Sequence, residues 1–259
     1  MDQVTSRDGT TIAFDRLGDG PPVVLVSGGS VDRGSNASLA AALESQFTVF
    51  NYDRRGRGPS GDTQPYAVAR EIEDIDAVIG AAGGSAFLYG SSSGAALALD
   101  AAASGLPVTK LALWEPPYIV GDSRPRPPAD TASIYRKFVA EGRRGDAVEY
   151  FMAKVVGMPA EFVGFARSQP WWPAQEALAH TLAYDAEIMG DYSIPTERVA
   201  KVAVPTLVLT GGASFDWMVE TAQAIVDGLP NGRHQSLEGQ SHDVSADVLG
   251  PVLAEFFAG

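Results

Sequence analysis

Two kinds of hydrophobic pattern alternate along this chain. Val23-Val24-Leu25-Val26, Phe47-Thr48-Val49-Phe50, Ala86-Phe87-Leu88-Tyr89, Leu111-Ala112-Leu113-Trp114 and Thr206-Leu207-Val208-Leu209 are short, continuous apolar runs, as strands covered on both faces require. Between them the period lengthens to three or four. Ile72, Ile75, Val78 and Ile79 mark a helix that Gly83-Gly84 stops, and Ala95 to Ala103 is nearly all Ala and Leu. Met218 to Leu229 and Val248 to Phe257 repeat the helical pattern near the end. Residues 10 to 14 alternate after an Asp8-Gly9 turn pair, which predicts an opening hairpin at a sheet edge. Strands alternating with helices predict an α/β fold built on a mostly parallel, doubly wound sheet.

One segment breaks the alternation. From about Tyr118 to Ala200 there is no buried-strand pattern. Pro116, Pro117, Pro125, Pro127 and Pro128 lead into helical stretches rich in aromatics, with Trp171-Trp172 in their midst. An insertion placed there covers the carboxyl ends of the strands, where α/β sheets bind ligands. The expected division is a sheet core, 1–118 and 200–259, with an inserted helical cap, 119–199.

Composition narrows the chemistry. The 259 residues include no cysteine, which excludes a disulfide scaffold, thiolate metal sites and thiol nucleophiles. No Asp/His/Glu grouping has metal-ligand spacing, so no metal and no cofactor is expected. Nineteen basic against 32 acidic residues give a charge of −13, which disfavours a nucleic-acid partner. No run approaches the ~18–20 apolar residues that cross a membrane, and no membrane partner is expected. Met1 to Asp8 lacks the layout of a signal peptide, so the expected location is cytoplasmic. Hydroxyl, imidazole and carboxylate remain as chemical tools, and the aromatic cap points to a small, apolar substrate.

Gly90-Ser91-Ser92-Ser93-Gly94 supplies the hydroxyl. An apolar strand ends at it and a small-residue helix follows, the strand–turn–helix context that gives G-x-S-x-G its meaning. Such a turn needs small residues at both glycine positions and presents the middle side chain, which selects Ser92. A serine needs a positioned base. Of three histidines, His242 lies in a loop before the last helix, at the sheet edge that Ser92 shares. His234 falls at the start of a strand, at the opposite edge, and His180 falls in the cap, where a solvent-facing position is expected. A tetrahedral oxyanion needs backbone N–H donors. Ser93, at the helix start, provides one, and Gly29 in the Ser27-Gly28-Gly29-Ser30 loop provides the second. Gly56 to Gly61 match G-x-G-x-x-G by letter, but Pro59 blocks the helix that a dinucleotide site requires. Arg54, Arg55 and Arg57 are expected in internal ion pairs.

The order of Gly-Gly loop, G-x-S-x-G elbow and late histidine resembles the α/β-hydrolase superfamily over nearly the full length. Asp53-Arg54-Arg55-Gly56-Arg57-Gly58-Pro59-Ser60 is similar to the D-x-R-G-x-G-x-S loop of those enzymes. The segments Leu111 to Tyr118 and Val204 to Leu209 are similar to members with a helical lid between those strands. The resemblance implies Ser92 as nucleophile, His242 as base, and Gly29 with Ser93 as oxyanion hole. Ser27-Gly28 stands where the family usually has His-Gly. The family's usual acid lies about three residues after the glycine ending the seventh strand, and here that spacing from Gly211 reaches Ser214. Two carboxylates therefore compete for the acid: Asp216, two residues later, and Glu115, at the end of the sixth strand, where some relatives take theirs. The expected activity is hydrolysis of a small to medium, largely apolar carboxylic ester through an acyl-enzyme. The alternatives are a ligand-binding or sensing protein with little turnover, or carbon–carbon hydrolysis, lactone hydrolysis, perhydrolysis or cyclisation on the same residues.

Overall fold

A computed structural model describes residues 1–259. Eight strands, β1 (Asp2–Thr5), β2 (Thr11–Leu17), β3 (Pro22–Val26), β4 (Thr48–Tyr52), β5 (Ala86–Ser91), β6 (Val108–Trp114), β7 (Thr206–Gly211) and β8 (Gly232–Leu237), form one sheet in the order β1-β2-β4-β3-β5-β6-β7-β8. The opening hairpin lies at the edge as expected. β1 and β2 pair antiparallel around the Asp8-Gly9 turn, where Gly9 takes a φ of +89°. β2 meets β4 antiparallel, and every later pairing is parallel.

The apolar runs sort by alternation onto the two faces. Val24 and Val26 join one core with Leu88, Leu111, Leu113 and Val208; Val23 and Leu25 join the other with Val49, Ala112, Leu207 and Leu209. Each is fully buried, and each valine or leucine among them gains about 1.5–3 kcal/mol by it. Helices α1 (Ala37–Leu43) and α11 (Ala246–Ala258) cover the second core, with Leu39, Leu43, Leu249 and Leu253. The first is covered by α2 (Val68–Ala81), α3 (Ser93–Ala103) and α10 (Asp216–Gly228). Ile75, Val78 and Ile79 are the buried stripe of α2, and Gly83 and Gly84, both at positive φ, follow its end. In α3 every residue from Ser93 to Ala101 is buried, which is why its sequence is almost all small and apolar.

Between β6 and β7 the chain adds α4 (Thr131–Ala140), α5 (Arg144–Tyr150), a π-helical turn (Phe151–Val156), α6 (Ala160–Ala166), α7 (Trp172–Leu178), α8 (Leu182–Met189) and α9 (Thr196–Val199). These helices hold a core of their own, built on Tyr135, Val148, Met152, Trp172 and Leu182. Helix α8 packs on both α4 and α3 and so reaches the sheet domain. No helix is long and apolar enough to cross a membrane. The carboxyl ends of the parallel strands share one edge, and Gly29, Ser92, Ser93, Glu115 and His242 lie in segments that start there, while Asp216 lies five residues beyond the end of β7 and His234 within β8.

Candidate active site

Ser92 follows β5 and caps α3 with φ 55° and ψ −125°, a conformation a serine holds only when its surroundings impose it. The neighbours explain how. A Cβ on Gly90 would stand 2.7 Å from Ala95 Cα, and one on Gly94 would stand 2.6 Å from the Val26 carbonyl oxygen. Only hydrogen fits at either position, so the helix start is pressed onto β3 and the Ser92 side chain is left partly exposed above the sheet. The Ser92 carbonyl accepts from Ala95 N (2.9 Å) and Ala96 N (3.3 Å). Its peptide partner, the Ser93 N–H, therefore points the other way, out of the helix N-terminus.

The register of β5 on β6 sets Ser91 beside Trp114, so Ser92 and Glu115 emerge next to each other from adjacent strands. The Trp114 carbonyl accepts the Ser92 N–H at 2.8 Å, and its indole N–H donates to the His242 carbonyl at 2.9 Å. Glu115 Oε2 then lies 2.7 Å from His242 Nδ1, and Glu115 Oε1 accepts the Gly211 N–H at 2.8 Å. The carboxylate is buried while the imidazole is 44% exposed, so the ring faces solvent with its Nδ1 anchored. Burial pushes the Glu115 carboxyl up, but the His242 ring and the Gly211 amide outweigh it and hold the group below its ordinary value. Glu115 also has a φ of 42°. Four non-glycine residues in the chain have positive φ, and three of them, Ser30, Ser92 and Glu115, belong to this one edge; strain is concentrated there.

Of the two competing carboxylates the structure brings Glu115 to His242 and leaves Asp216 apart. Asp216 is the first residue of α10, with its side chain in solvent and no hydrogen bond or ion pair to His242. The reason is one of placement: the position three residues after Gly211 is taken by Ser214, and Asp216 lies beyond it. Ser214 Oγ is buried close enough to Glu115 to help hold it anionic, though no hydrogen bond of good geometry joins them.

The Ser27–Ser30 loop lies against the same turn. A Cβ on Gly28 would be 3.2 Å from Ser92 Cβ, and one on Gly29 would be 3.4 Å from Ser93 Oγ. Gly29 and Ser93 are thus brought together as the sequence suggested, and the Gly29 N–H donates to no group of the protein. Ser27 Oγ is buried without a partner, so the hydroxyl does not replace the brace a histidine would give. Arginines do instead. Arg57 Nη1 donates to the Gly28 carbonyl and, at 3.1 Å, to the Val31 carbonyl. Arg54 and Arg57 are fully buried and ion-paired, as expected of this cluster: Arg54 to Glu71 (2.7 Å) and Asp185 (2.9 Å), and Arg57 to Asp185 (2.9 Å). Arg55 pairs with Asp74 and Asp8.

Asp185 is the group that sequence reasoning missed. It belongs to α8, whose Leu182, Ala183, Tyr184, Ala186, Ile188 and Met189 are all buried. A carboxylate set among apolar positions of a short helix was the signal available, since such a charge, once buried, must be paired. Burial pushes its carboxyl up, yet the Arg57 and Arg54 guanidiniums hold it below the usual range. His180 is not the solvent-facing residue expected. It is half-buried against the Arg loop, with Nδ1 3.0 Å from Arg144 Nη2, and burial holds its pKa down. His234 sits in β8 against Thr210 Oγ1 at 2.9 Å, remote from the strand ends that carry Ser92.

A sequence model described as the alpha/beta hydrolase family matches residues 23–248. The crystal structure of an alpha/beta hydrolase from Sphaerobacter thermophilus is similar at 57% identity and a TM-score of 0.94, over 99% of this chain and 100% of that one. A hydrolase from Pseudomonas aeruginosa shares the fold at 19% identity and a TM-score of 0.75, over 100% and 98% of the two chains. Among curated sequences, the uncharacterized hydrolase YraK of Bacillus subtilis is 33% identical over 96 residues, which is 36% of this chain and only 35% of that protein's length.

Proposed function

The chain belongs to the alpha/beta hydrolase family, and from that premise we propose that it hydrolyses a small to medium, largely apolar carboxylic ester through an acyl-enzyme on Ser92. The observation that carries this reading is the 2.7 Å contact of His242 Nδ1 with buried Glu115 at the edge where Ser92 is held in a strained turn. A carboxylate on Nδ1 fixes the tautomer that leaves Nε2 free to accept a proton, and it stabilises the imidazolium that results. Ser92 Oγ then attacks the ester carbonyl as His242 takes its proton. The oxyanion that forms meets the N–H groups of Gly29 and Ser93, and collapse expels the alcohol, which receives the proton back from His242. Water, deprotonated by the same imidazole, clears the acyl group from Ser92.

The rim supports an apolar acyl or alcohol group. Trp171 is 43% exposed and precedes by one turn Gln175, whose Oε1 accepts from Ser30 Oγ at 2.6 Å. Phe215 is 68% exposed and follows Ser214, the neighbour of Glu115. Exposed aromatic side chains therefore occur in the two segments that reach Ser30 and Glu115, and an apolar chain of a substrate gains by covering such surface.

A fluorophosphonate probe followed by peptide mapping tests the reading. The expected result is one adduct, on Ser92, that blocks turnover of p-nitrophenyl esters, with Ser92→Ala inert to both. A folded protein that takes no adduct on Ser92 and turns over no ester in a panel of acyl lengths would replace this reading with that of a ligand-binding protein.

A further inference from the structure

The charged network behind the Ser27–Ser30 loop joins the inserted helices to both backbone amides that the proposed mechanism uses. Asp185, carried by α8, accepts the Ser93 hydroxyl at 2.8 Å and takes two hydrogen bonds of 2.9 Å from Arg57 Nη2. The other nitrogen of that guanidinium, Nη1, holds the Gly28 carbonyl. In a trans peptide the carbonyl and the following N–H point in opposite directions, so a Gly28 carbonyl turned to Arg57 aims the Gly29 N–H away from it. One carboxylate thus anchors Ser93 directly and the Gly28-Gly29 peptide through Arg57, with Arg54 Nη1 at a longer 3.5 Å from the same carbonyl. It also packs on Gly29 itself: a Cβ there would lie 3.1 Å from Asp185 Oδ2. A second strut from the insert, Gln175 to Ser30 Oγ, closes the far end of the loop. The Ser27 hydroxyl, standing where a brace is customary in the family, makes no hydrogen bond at all.

We propose that Asp185 is a positioning residue that sets both oxyanion donors, so that the inserted helices complete the oxyanion hole and do not merely cover it. The proposal rests on the reading of Ser92 as a nucleophile. Its charge balance is suited to the task, since the guanidiniums of Arg54 and Arg57 face the carboxylates of Asp185 and Glu71 and no uncompensated negative charge stands behind the developing oxyanion. Arg57 Nε is buried without a partner, so the side chain's hydrogen bonds all run through its two terminal nitrogens, to Asp185 and to the loop carbonyls.

The test compares an oxoester with the thionoester of the same acyl group, in which sulfur replaces the carbonyl oxygen. Sulfur accepts hydrogen bonds poorly, so a working pair of N–H donors favours the oxoester, and losing the pair erodes that preference. For Asp185→Asn the expected result is a fall in oxoester kcat of about 10- to 100-fold with KM changed less than about threefold, and a fall in the oxo-to-thiono ratio of about tenfold. A purely structural role lowers turnover of both esters together and leaves the ratio as it was; that outcome overturns the proposal. If Asp185→Asn does not fold, Arg57→Lys carries the test, because lysine keeps the charge opposite Asp185 but cannot hold it and the Gly28 carbonyl together. The same fall in ratio is expected, and an unchanged ratio overturns the proposal. Fluorophosphonate labelling of the unaltered protein separates the two levels. An adduct on Ser92 with an unchanged ratio in the variants rejects only the role of Asp185, whereas no adduct and no turnover rejects the hydrolase reading and the role with it.

Discussion

Glu115 and Asp185 are both buried carboxylates held below their ordinary pKa, yet they are built in opposite ways. Glu115 directly follows a central strand, and its main partner is an imidazole that is 44% exposed. Asp185 sits mid-helix in the insert and faces two guanidiniums that are wholly out of solvent. The first arrangement leaves the partner ring open to solvent; the second encloses both partners in the interior. A buried carboxylate beside a histidine is suited to chemistry, and one beside two arginines is suited to holding a shape.

That contrast can be broken by exchange. Glu115→Gln is expected to lower kcat/KM about 10³- to 10⁴-fold in an ester assay, because an amide in place of the carboxylate favours the wrong imidazole tautomer. Its urea midpoint should shift by less than about 1 kcal/mol equivalent, since the amide oxygen can still accept the Gly211 N–H. Asp185→Leu should do the reverse in a urea titration, costing about 3–5 kcal/mol by leaving Arg57 and half of Arg54's partners uncompensated in the interior. Equal stability losses in the two variants would erase the distinction. In the unaltered protein the stability owed to Asp185 is fully present above the usual carboxylate range and is lost only as acid protonates it, because its folded pKa lies below its unfolded one.

A third buried carboxylate sharpens the comparison. Asp100 in α3 has one oxygen on Arg198, which is itself half exposed, and its other oxygen has no partner. Burial dominates here and pushes its pKa up to about 6. Raised above the unfolded value, the group penalises the folded state when ionised, and the penalty is relieved as pH falls through about 6. Asp100→Asn should therefore be more stable than the unaltered protein at pH 8, by about 1–2 kcal/mol, with the gap closing towards pH 5. Thermal melts at the two pH values check it. The smallest effect is expected from Asp216→Asn, which should leave kcat/KM within about twofold, since its side chain is in solvent and does not meet His242.

Much of this arrangement was legible before any coordinates. The parallel strands showed as continuous apolar runs because both faces are covered, and the turn at Ser92 showed because Gly90 and Gly94 are required by backbone contacts only glycine permits. Local patterns that are forced by contacts a few residues away can be read from a chain. The choice between Glu115 and Asp216 could not, because it depends on how β6 and β7 are staggered and on whether the loop after Gly211 brings residue 214 or 216 to the histidine. Asp185 lay further out of reach. Its partners Arg54, Arg57 and Ser93 are 131, 128 and 92 residues away, and no spacing rule links a helix of the insert to the loop after β4. The arginines were read as ion-paired without their partners being identifiable.

The path of the chain carries one more implication. Ser92 and Glu115 precede the inserted helices and His242 follows them, so the insert could be swapped for a relative's without moving any of the three along the sequence. Asp185 would leave with it. A recombined chain would keep Ser92, His242 and Glu115 and would leave Arg54 and Arg57 facing an interior without their shared anion. Exchange of these inserts between such proteins is thus constrained at the place of Asp185 as well as at that of Gln175, and a compatible donor insert brings a carboxylate to the first of these on its own helix.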